Sequence, residues 1–570
     1  MRLFKYIVLS TSMFALGACD FLEKEPYNLT PETYFNNEAE LNKILTGVYS
    51  PLMQEQFYGE NYPSYLVGGD DLSFYQRSTP KVAVCCATAS SSTPEIMMFW
   101  RILYEGINRA NTLLKNADNV PDVTSENLIR IKAEGYFLRA FYYFHLVQCW
   151  GDVPLVLEPT EDVENLAIPR TDKQIVYNQI IKDIEENAIP YLPTAAEIST
   201  PERISQTAAQ GILARIYLFR AGEHYRDGKA AGQEVSTYFS KAAYWAKKVK
   251  ESGLHDLVKP YSQVFIDLAS DKYNSTGIRE SMWEIAEAGN RINDVEYSAG
   301  KIGSVYGFGC GTDFSANEDY KSKKGMENPG YSNKSFFASL KLYNMYYSDE
   351  PNNIDRERGD WNIAPYEYLM ANGKVAGREY YYPLKPSGLN EVDGMPCTQK
   401  TESQSSNKVR CIAKYRREYE TILPKSKYYT PINFPVLRYS DVLLMLAEAE
   451  NEVNGGPNDL ARECINEVRE RANLNPLPET LTDQAEFREA IKKERAMELC
   501  FEALRRWDLI RWGDFYNTMQ GMGIYVNDAA WGSNYKYASA YYDVIPSYVY
   551  FPIPAWEIST NGQMEQNTGW

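Results

Sequence analysis

Apolar residues recur three and four positions apart in two long blocks of this chain, and the pattern fades between about 253 and 437. It is strongest at 126–148, where Leu128, Ile131, Gly135, Leu138, Tyr142 and Leu146 follow one another at that spacing. Such a run lays an apolar stripe along one face of an α-helix, and the stripe needs another element to cover it. The same periodicity predicts helices over 34–53, 95–117, 172–188, 205–221 and 236–251, then over 438–453, 457–472 and 484–511. Trp150-Gly151-Asp152-Val153-Pro154 ends the strongest of them, because Gly leaves the helix readily and Pro cannot continue it.

The expected class is therefore mainly α. The scaffold is read over about 34–251 and 438–513. A long loop-rich insert, about 253–437, divides it, and an irregular tail begins near 514. Ala208, Gly211 and Tyr217 in one helix are followed by Ala242, Ala246 and Gly253 in the next. Small residues at facing positions let antiparallel helices approach closely, as in a tetratricopeptide array, although no strict 34-residue period is present. Each helix pair leaves a face it cannot bury alone, so the two ends are expected to pack as one array.

Charge narrows the partners. The 570 residues carry a net −17, and nucleic acid, whose phosphates demand clustered Lys and Arg, is excluded as a partner. Arg2 and Lys5 precede an apolar run to Leu16, and Leu16-Gly17-Ala18-Cys19 closes it. This is the pattern of an export signal, too short to remain as a span. The cysteine after Leu-Gly-Ala resembles a bacterial lipobox, which makes residues 1–18 a signal peptide and Cys19 the acylated first residue of 19–570. Acyl chains contribute about 0.8 kcal/mol per buried CH₂, so two or three chains hold a protein on a membrane. No later stretch is apolar for 18 residues, and no further span is expected. The remaining eight cysteines are scattered without a C-x-x-C. Cys149, Cys464 and Cys500 are read as buried thiols.

Tyrosine is the compositional anomaly, with 45 in the chain. Flat apolar faces with a polar edge suit ligands such as sugar rings. Asp71, Tyr75 and Arg77 combine an acid, an aromatic and a guanidinium within one loop-like segment, and Tyr306, Trp361 and Tyr366 are aromatics of the irregular insert. These six are the candidate ligand residues; for each aromatic the alternative is packing beneath a long loop. Glu494, Arg495, Arg506, Asp508 and Arg511 sit at helical spacing and are read as ion pairs between helices, and His145 as a packed histidine. Three separated histidines argue against a histidine metal site or a Ser-His-Asp triad. Nucleotide and nucleophile-elbow motifs are absent. With 76 acids, a pair of glycosidase carboxylates is not excluded by sequence. No cofactor is expected, and a calcium ion stapling a loop is allowed for without assigned ligands.

Four blocks and an ending then carry a resemblance. They are Trp100 with Asn108-Arg109-Ala110-Asn111, and Ala133-Glu134-Gly135-Tyr136-Phe137-Leu138-Arg139-Ala140 running into Trp150-Gly151-Asp152-Val153-Pro154-Leu155. Next come Arg438-Tyr439-Ser440-Asp441-Val442-Leu443-Leu444, and Glu494-Arg495 with Arg506-Trp507-Asp508-Leu509-Ile510-Arg511-Trp512-Gly513. The ending is Phe551-Pro552-Ile553-Pro554 with Glu557-Ile558, Asn561 and Gln566-Asn567. Together with the lipobox this resembles the SusD/RagB family of Bacteroidetes outer-membrane lipoproteins. The resemblance implies a TPR-like scaffold with a variable half carrying the ligand surface. It also implies a non-catalytic, lipid-anchored, surface-exposed protein that captures oligosaccharide and passes it to a SusC-like TonB-dependent transporter. Peptide capture, as in the RagB branch, is the alternative, and a surface glycoside hydrolase a further one. Ala503 stands where the family usually has Gly, and the chain ends Asn567-Thr568-Gly569-Trp570 instead of Asn-Pro-Gly-Tyr. Asp20 after the lipobox cysteine signals inner-membrane retention in some other bacteria.

Overall fold

The computed structural model describes residues 35–76, 84–85, 87–160, 167–226, 232–289, 300–532, 541 and 543–570. Cys19, Arg77 and Cys86 lie outside the described residues. Six helices form the first block: α1 (Glu38–Tyr49), α2 (Pro94–Asn116), α3 (Ser125–Trp150), α4 (Lys173–Glu185), α5 (Gln206–Arg226) and α6 (Gln233–Glu251). Consecutive members pack side by side. From Phe137 onward every residue of α3 is buried, so this helix forms the axis of the array. Gly106 of α2 permits the close approach, since a Cβ there would meet the Tyr142 ring at 2.5 Å.

The insert's helices include α7 (Ser262–Ser270), α8 (Leu340–Tyr347) and α9 (Arg356–Asn362). The second scaffold block holds α10 (Tyr439–Asn454), α11 (Asp459–Arg471), α12 (Gln484–Leu499) and α13 (Arg505–Arg511). α10 packs on α6, and α13 returns against α5, so the helices from both ends make one continuous array. The single helix expected over 484–511 is broken. Phe501 and Ala503 adopt φ of +67° and +60°, which no right-handed helix allows, and the chain turns between α12 and α13.

The insert is more ordered than a loop-rich reading implies. Its strands, with β1 (Ser73–Tyr75) from the first block, are β2 (Ser281–Ile285), β3 (Phe336–Ala338), β4 (Tyr366–Ala371) and β5 (Lys374–Tyr380), then β6 (Glu391–Val392), β7 (Met395–Gln399), β8 (Arg410–Cys411) and β9 (Phe434–Arg438). They form three small sheets with orders β1-β3-β8, β2-β9 and β4-β5-β7-β6. All pairings are antiparallel except β5 with β7. Asn372-Gly373 and Asp393-Gly394 take positive φ at both positions and close the β4–β5 and β6–β7 hairpins.

Buried charges weld insert to scaffold. Glu498 of α12 accepts from Arg358 at 3.1 Å, from Arg438 at 3.0 Å and from Arg471. Arg438 reaches Glu280 and Glu502 as well, and Lys414 pairs with Glu502 at 2.6 Å. Within the scaffold, Arg495 pairs with Asp508 and Asp441, Arg511 with Glu448 and Asp508, and Glu494 with Arg469, while Glu494 also reaches Arg358 of the insert. Arg506 departs from the expected ion pairing. It donates to the Tyr548 carbonyl and lies 4.6 Å over Phe515, and burial pulls its pKa down to about 10. His145 is packed among Phe141, Phe57 and Tyr62, with burial pushing its pKa down to about 3. Cys149, Cys464 and Cys500 are buried free thiols. Among the described residues no helix is long and apolar enough to cross a membrane.

Candidate functional site

A cleft of about 280 Å³ opens in the insert, where the β1-β3-β8 sheet meets the β4–β5 hairpin. Its floor is made by Phe308, Ala364, Tyr366 and Cys411, all buried. Phe337 of β3 and Tyr381, just past β5, stand half-buried on its walls. Period-two alternation explains Phe337: its neighbours Phe336 and Ala338 face the core, so the residue between them faces outward. Around the rings stand Lys334, Glu367, Lys400, Gln404 and Asn407. The Tyr381 hydroxyl donates to Glu367 at 2.7 Å, and Lys400 Nζ donates to the other oxygen at 2.6 Å. Burial alone would raise the Glu367 carboxyl; these two bonds and the charges of Lys400 and, more weakly, Lys334 hold it below its ordinary value.

The floor is locked from beneath. Tyr366 and Tyr368 donate to the two oxygens of Glu418 at 2.9 and 3.0 Å, and Arg378 pairs with Glu418 at 2.6 Å while lying 4.4 Å over the Tyr366 ring. Burial acts to raise the Glu418 carboxyl, yet Arg378 and Arg416 keep it below the usual range. A rigid aromatic base with polar groups at its rim can bind a ligand that is apolar on one face and hydroxylated at its edge. Glu367 is the only carboxylate among the described lining residues. Glycoside hydrolysis uses two flanking carboxyl groups, about 5–9.5 Å apart.

Among the described sequence-expected ligand residues only Tyr366 lines this cleft, and it does so as floor, 1% exposed. The structure corrects Asp71, Tyr75 and Tyr306 and places Trp361 away from this cleft. Asp71 is fully buried and bound by Arg505 and Lys341, which hold its carboxyl low against the burial that would raise it. Tyr75 packs edge-on to Phe336, and Tyr306 is wedged between Phe336 and Phe501; both are core residues, unable to stack on a ligand. Trp361 is buried at the edge of a separate cleft of about 430 Å³, its indole N–H bonded to the Lys414 carbonyl and its ring 4.0 Å from the Arg416 guanidinium. Arg77 lies outside the described residues. Sequence reasoning missed Phe337, Tyr381, Lys334, Lys400, Gln404 and Asn407. The Tyr380-Tyr381-Tyr382 cluster and the Asn372-Gly373 turn were signals that locate part of the cleft. Among the described residues no group of three or more His, Cys, Asp or Glu stands close enough to hold a metal ion.

Comparison with known proteins places this architecture. A family model described as the SusD family matches residues 267–570, just over half of the chain. A second, described as starch-binding associating with outer membrane, matches residues 20–218. SusD-like protein P25 of Formosa agariphila is 27% identical over 98% of this chain and 97% of its own length. The starch-binding protein SusD of Bacteroides thetaiotaomicron is 24% identical over 80% of this chain and 75% of its own. Among solved structures, a SusD homologue from Bacteroides thetaiotaomicron superposes with a TM-score of 0.78 at 25% identity, covering 96% of this chain and 100% of its own. A laminarin-binding SusD-like protein superposes with a TM-score of 0.66 at 24% identity, covering 94% of this chain and 100% of its own. The chain belongs to the SusD family.

Proposed function

We propose that this protein is a non-catalytic glycan-binding lipoprotein of the outer membrane. It is held there through acylated Cys19, captures oligosaccharide in the cleft between β3 and β4, and delivers it to a SusC-like TonB-dependent transporter. The observation that carries the glycan reading is the cleft itself: two half-exposed rings, Phe337 and Tyr381, above a locked aromatic floor and ringed by amide and charged side chains. That combination offers stacking for a pyranose face and hydrogen bonds for its hydroxyls. The starch- and laminarin-binding relatives support the ligand class. A single carboxylate in the described lining supports capture without cleavage. Binding by these groups requires no cofactor.

Calorimetry of the soluble chain, lacking residues 1–18 and with Cys19→Ala, against a panel of polysaccharides and peptides tests the reading. Saturable binding of a glycan, weakened by Phe337→Ala, is the expected result. Binding of peptides alone would move the assignment to the RagB-like alternative, and release of reducing ends without added enzyme would end the non-catalytic one. Protease treatment of intact cells tests the outward-facing placement, which full protection would overturn if the transporter is cut.

A further inference from the structure

The cleft carries positive charge that no carboxylate among the described residues meets at ion-pair distance. Lys334 is the centre of it. Its backbone sits at φ +49°, the left-handed region that disfavours a side chain with a Cβ. The conformation is clamped from two sides: the Lys334 amide donates to Ser332 Oγ at 3.1 Å, and Gln76 donates to the Lys334 carbonyl at 2.6 Å. An uncommon backbone conformation held by specific bonds at a binding cleft marks a side chain that is being presented. The ammonium so presented lies 5.7 Å from the Phe308 ring on the floor, and among the described residues no carboxylate comes within ion-pair distance of it.

A second, independent feature lies behind Tyr381. Arg410 is 2% exposed, and none of its three guanidinium nitrogens has a hydrogen-bond partner among the described residues. It stacks 3.8 Å from the Tyr381 ring and 5.5 Å from Tyr343. Lys408, the next basic residue along the strand approach, spends its ammonium on the Ser405 carbonyl and on no carboxylate. Lys400 is matched by Glu367. The cleft thus pairs Lys400 with its one described acid at contact distance, while Lys334 in front and Arg410 behind have no carboxylate within ion-pair distance among the described residues. This occurs in a chain whose net charge is −17, so the local sign is opposite to that of the whole.

We propose, resting on the glycan reading above, that the cleft takes a glycan bearing an anionic substituent. Lys334 Nζ receives that group, a uronate carboxylate or a sulfate ester, while Phe337 and Tyr381 hold the sugar face. A charge-assisted bond to an anion is shorter and stronger than its neutral counterpart, and half-buried it is screened less by salt than a surface pair. The protein's overall charge repels polyanions, so any preference for one must come from the cleft.

Matched polymers test this: dextran sulfate against dextran, and polygalacturonate against its methyl ester, each titrated calorimetrically into wild type, Lys334→Gln and Lys334→Arg. The expected result is at least tenfold tighter binding of one charged polymer than of its uncharged partner, weakening as salt is raised. That preference should vanish in Lys334→Gln and survive in Lys334→Arg. Which charged polymer binds separates sulfate from carboxylate. Equal affinity for charged and uncharged partners, or a charge preference untouched in Lys334→Gln, overturns the inference and leaves the glycan reading standing. Binding of no polymer of either kind, in a panel where peptides do bind, overturns both. If Lys334→Gln fails to melt cooperatively, the wild-type salt series decides: affinity for the charged polymer that does not fall with salt overturns the inference.

Discussion

The junction between insert and scaffold and the cleft of the insert are both built from buried arginines and tyrosines, and they treat charge in opposite ways. At the junction Arg358, Arg438 and Arg471 converge on Glu498, and Glu280, Glu494 and Glu502 pair with them as well, although Arg358 Nη2 and Arg471 Nε have no hydrogen-bond partner among the described residues. At the cleft Arg410 is equally buried and has no such partner. A charge removed from water is tolerable when an opposite charge and hydrogen bonds replace the water, and costly otherwise. Every arginine of the junction is therefore matched by a carboxylate of the chain, whereas Arg410 at the cleft has no ion-pair partner among the described residues.

The comparison breaks most readily at Glu498. Replacing it with Gln leaves three guanidinium groups short of one carboxylate, and removal of one partner from a buried ionic cluster costs about 3–5 kcal/mol. Urea denaturation should show a correspondingly lowered midpoint, with the insert held to α12 through Arg358–Glu494 alone among the Glu494 and Glu498 pairs. Arg410→Met should do the reverse. Removing a buried charge that has no partner is expected to leave the midpoint unchanged or raise it, by up to about 4 kcal/mol. Parallel losses in the two variants would refute the contrast.

A second buried acid sharpens the same point through pH. Glu284 of β2 is buried beside Glu202 and Asp271, and burial is the main cause raising its pKa from 4.5 to about 7. The folded chain then binds this proton more tightly than the unfolded one. The stability it confers is complete below the ordinary value and is lost as pH rises from about 4.5 to about 7. Glu284→Gln escapes that loss. The variant should exceed wild type by up to about 3 kcal/mol at pH 8, and the difference should shrink below pH 5. A pH-independent difference would show that Glu284 titrates normally. Asp441, held down to about 2 by Arg495 and Arg215 against the effect of burial, has the opposite sign. Its contribution is present above its ordinary value and is lost as pH falls toward 2.

On the cleft side, Phe337→Ala should weaken glycan binding by about 1–3 kcal/mol, by analogy with stacking of bases on aromatics, while melting remains cooperative. That is roughly a tenfold to hundredfold change in Kd. Trp361→Ala should behave as a core change, lowering stability by about 3–5 kcal/mol with glycan affinity retained. Exchange of these two outcomes would move the site to the cleft beside Trp361.

The same division governs what was legible in the sequence. Helices α2, α3, α5, α6, α10 and α11 follow from apolar spacing alone, because each buries a stripe against a neighbour and the stripe is local in sequence. The insert's sheets are not local. β1 pairs with β3 across five helices of the first block and the first part of the insert, and strands of two or three residues carry too few positions for alternation to register. The hairpin turns Asn372-Gly373 and Asp393-Gly394 were readable and mark β4–β5 and β6–β7. Tyr75 and Tyr306 proved to be core residues for a related reason. A tyrosine in a Gly- and Asn-rich stretch is equally compatible with a surface platform and with a ring sealing a small sheet. What buries Tyr306 is Phe336 and Phe501, which only the fold brings to it.

Backbone strain gives the smallest and most discriminating test. Ala503 and Lys334 both hold positive φ, +60° and +49°, where Gly is the unstrained residue. At Ala503 the strain belongs to the turn between α12 and α13, and nothing there faces a ligand; the family's usual Gly at this place is what the conformation calls for. At Lys334 the strain carries a charged side chain into the cleft. Ala503→Gly and Lys334→Gly should therefore each raise stability by about 0.5–1 kcal/mol, the relief of a left-handed residue less the entropy a glycine adds to the unfolded chain. Differential scanning calorimetry resolves a change of that size as a shift of a degree or more in Tm. Only Lys334→Gly should also lose the preference for an anionic glycan. If both variants gain stability and both bind as wild type, the conformation at Lys334 is a structural turn like that at Ala503. If Lys334→Gly loses stability instead, its side chain is packing against Phe308 and is not held there for a ligand.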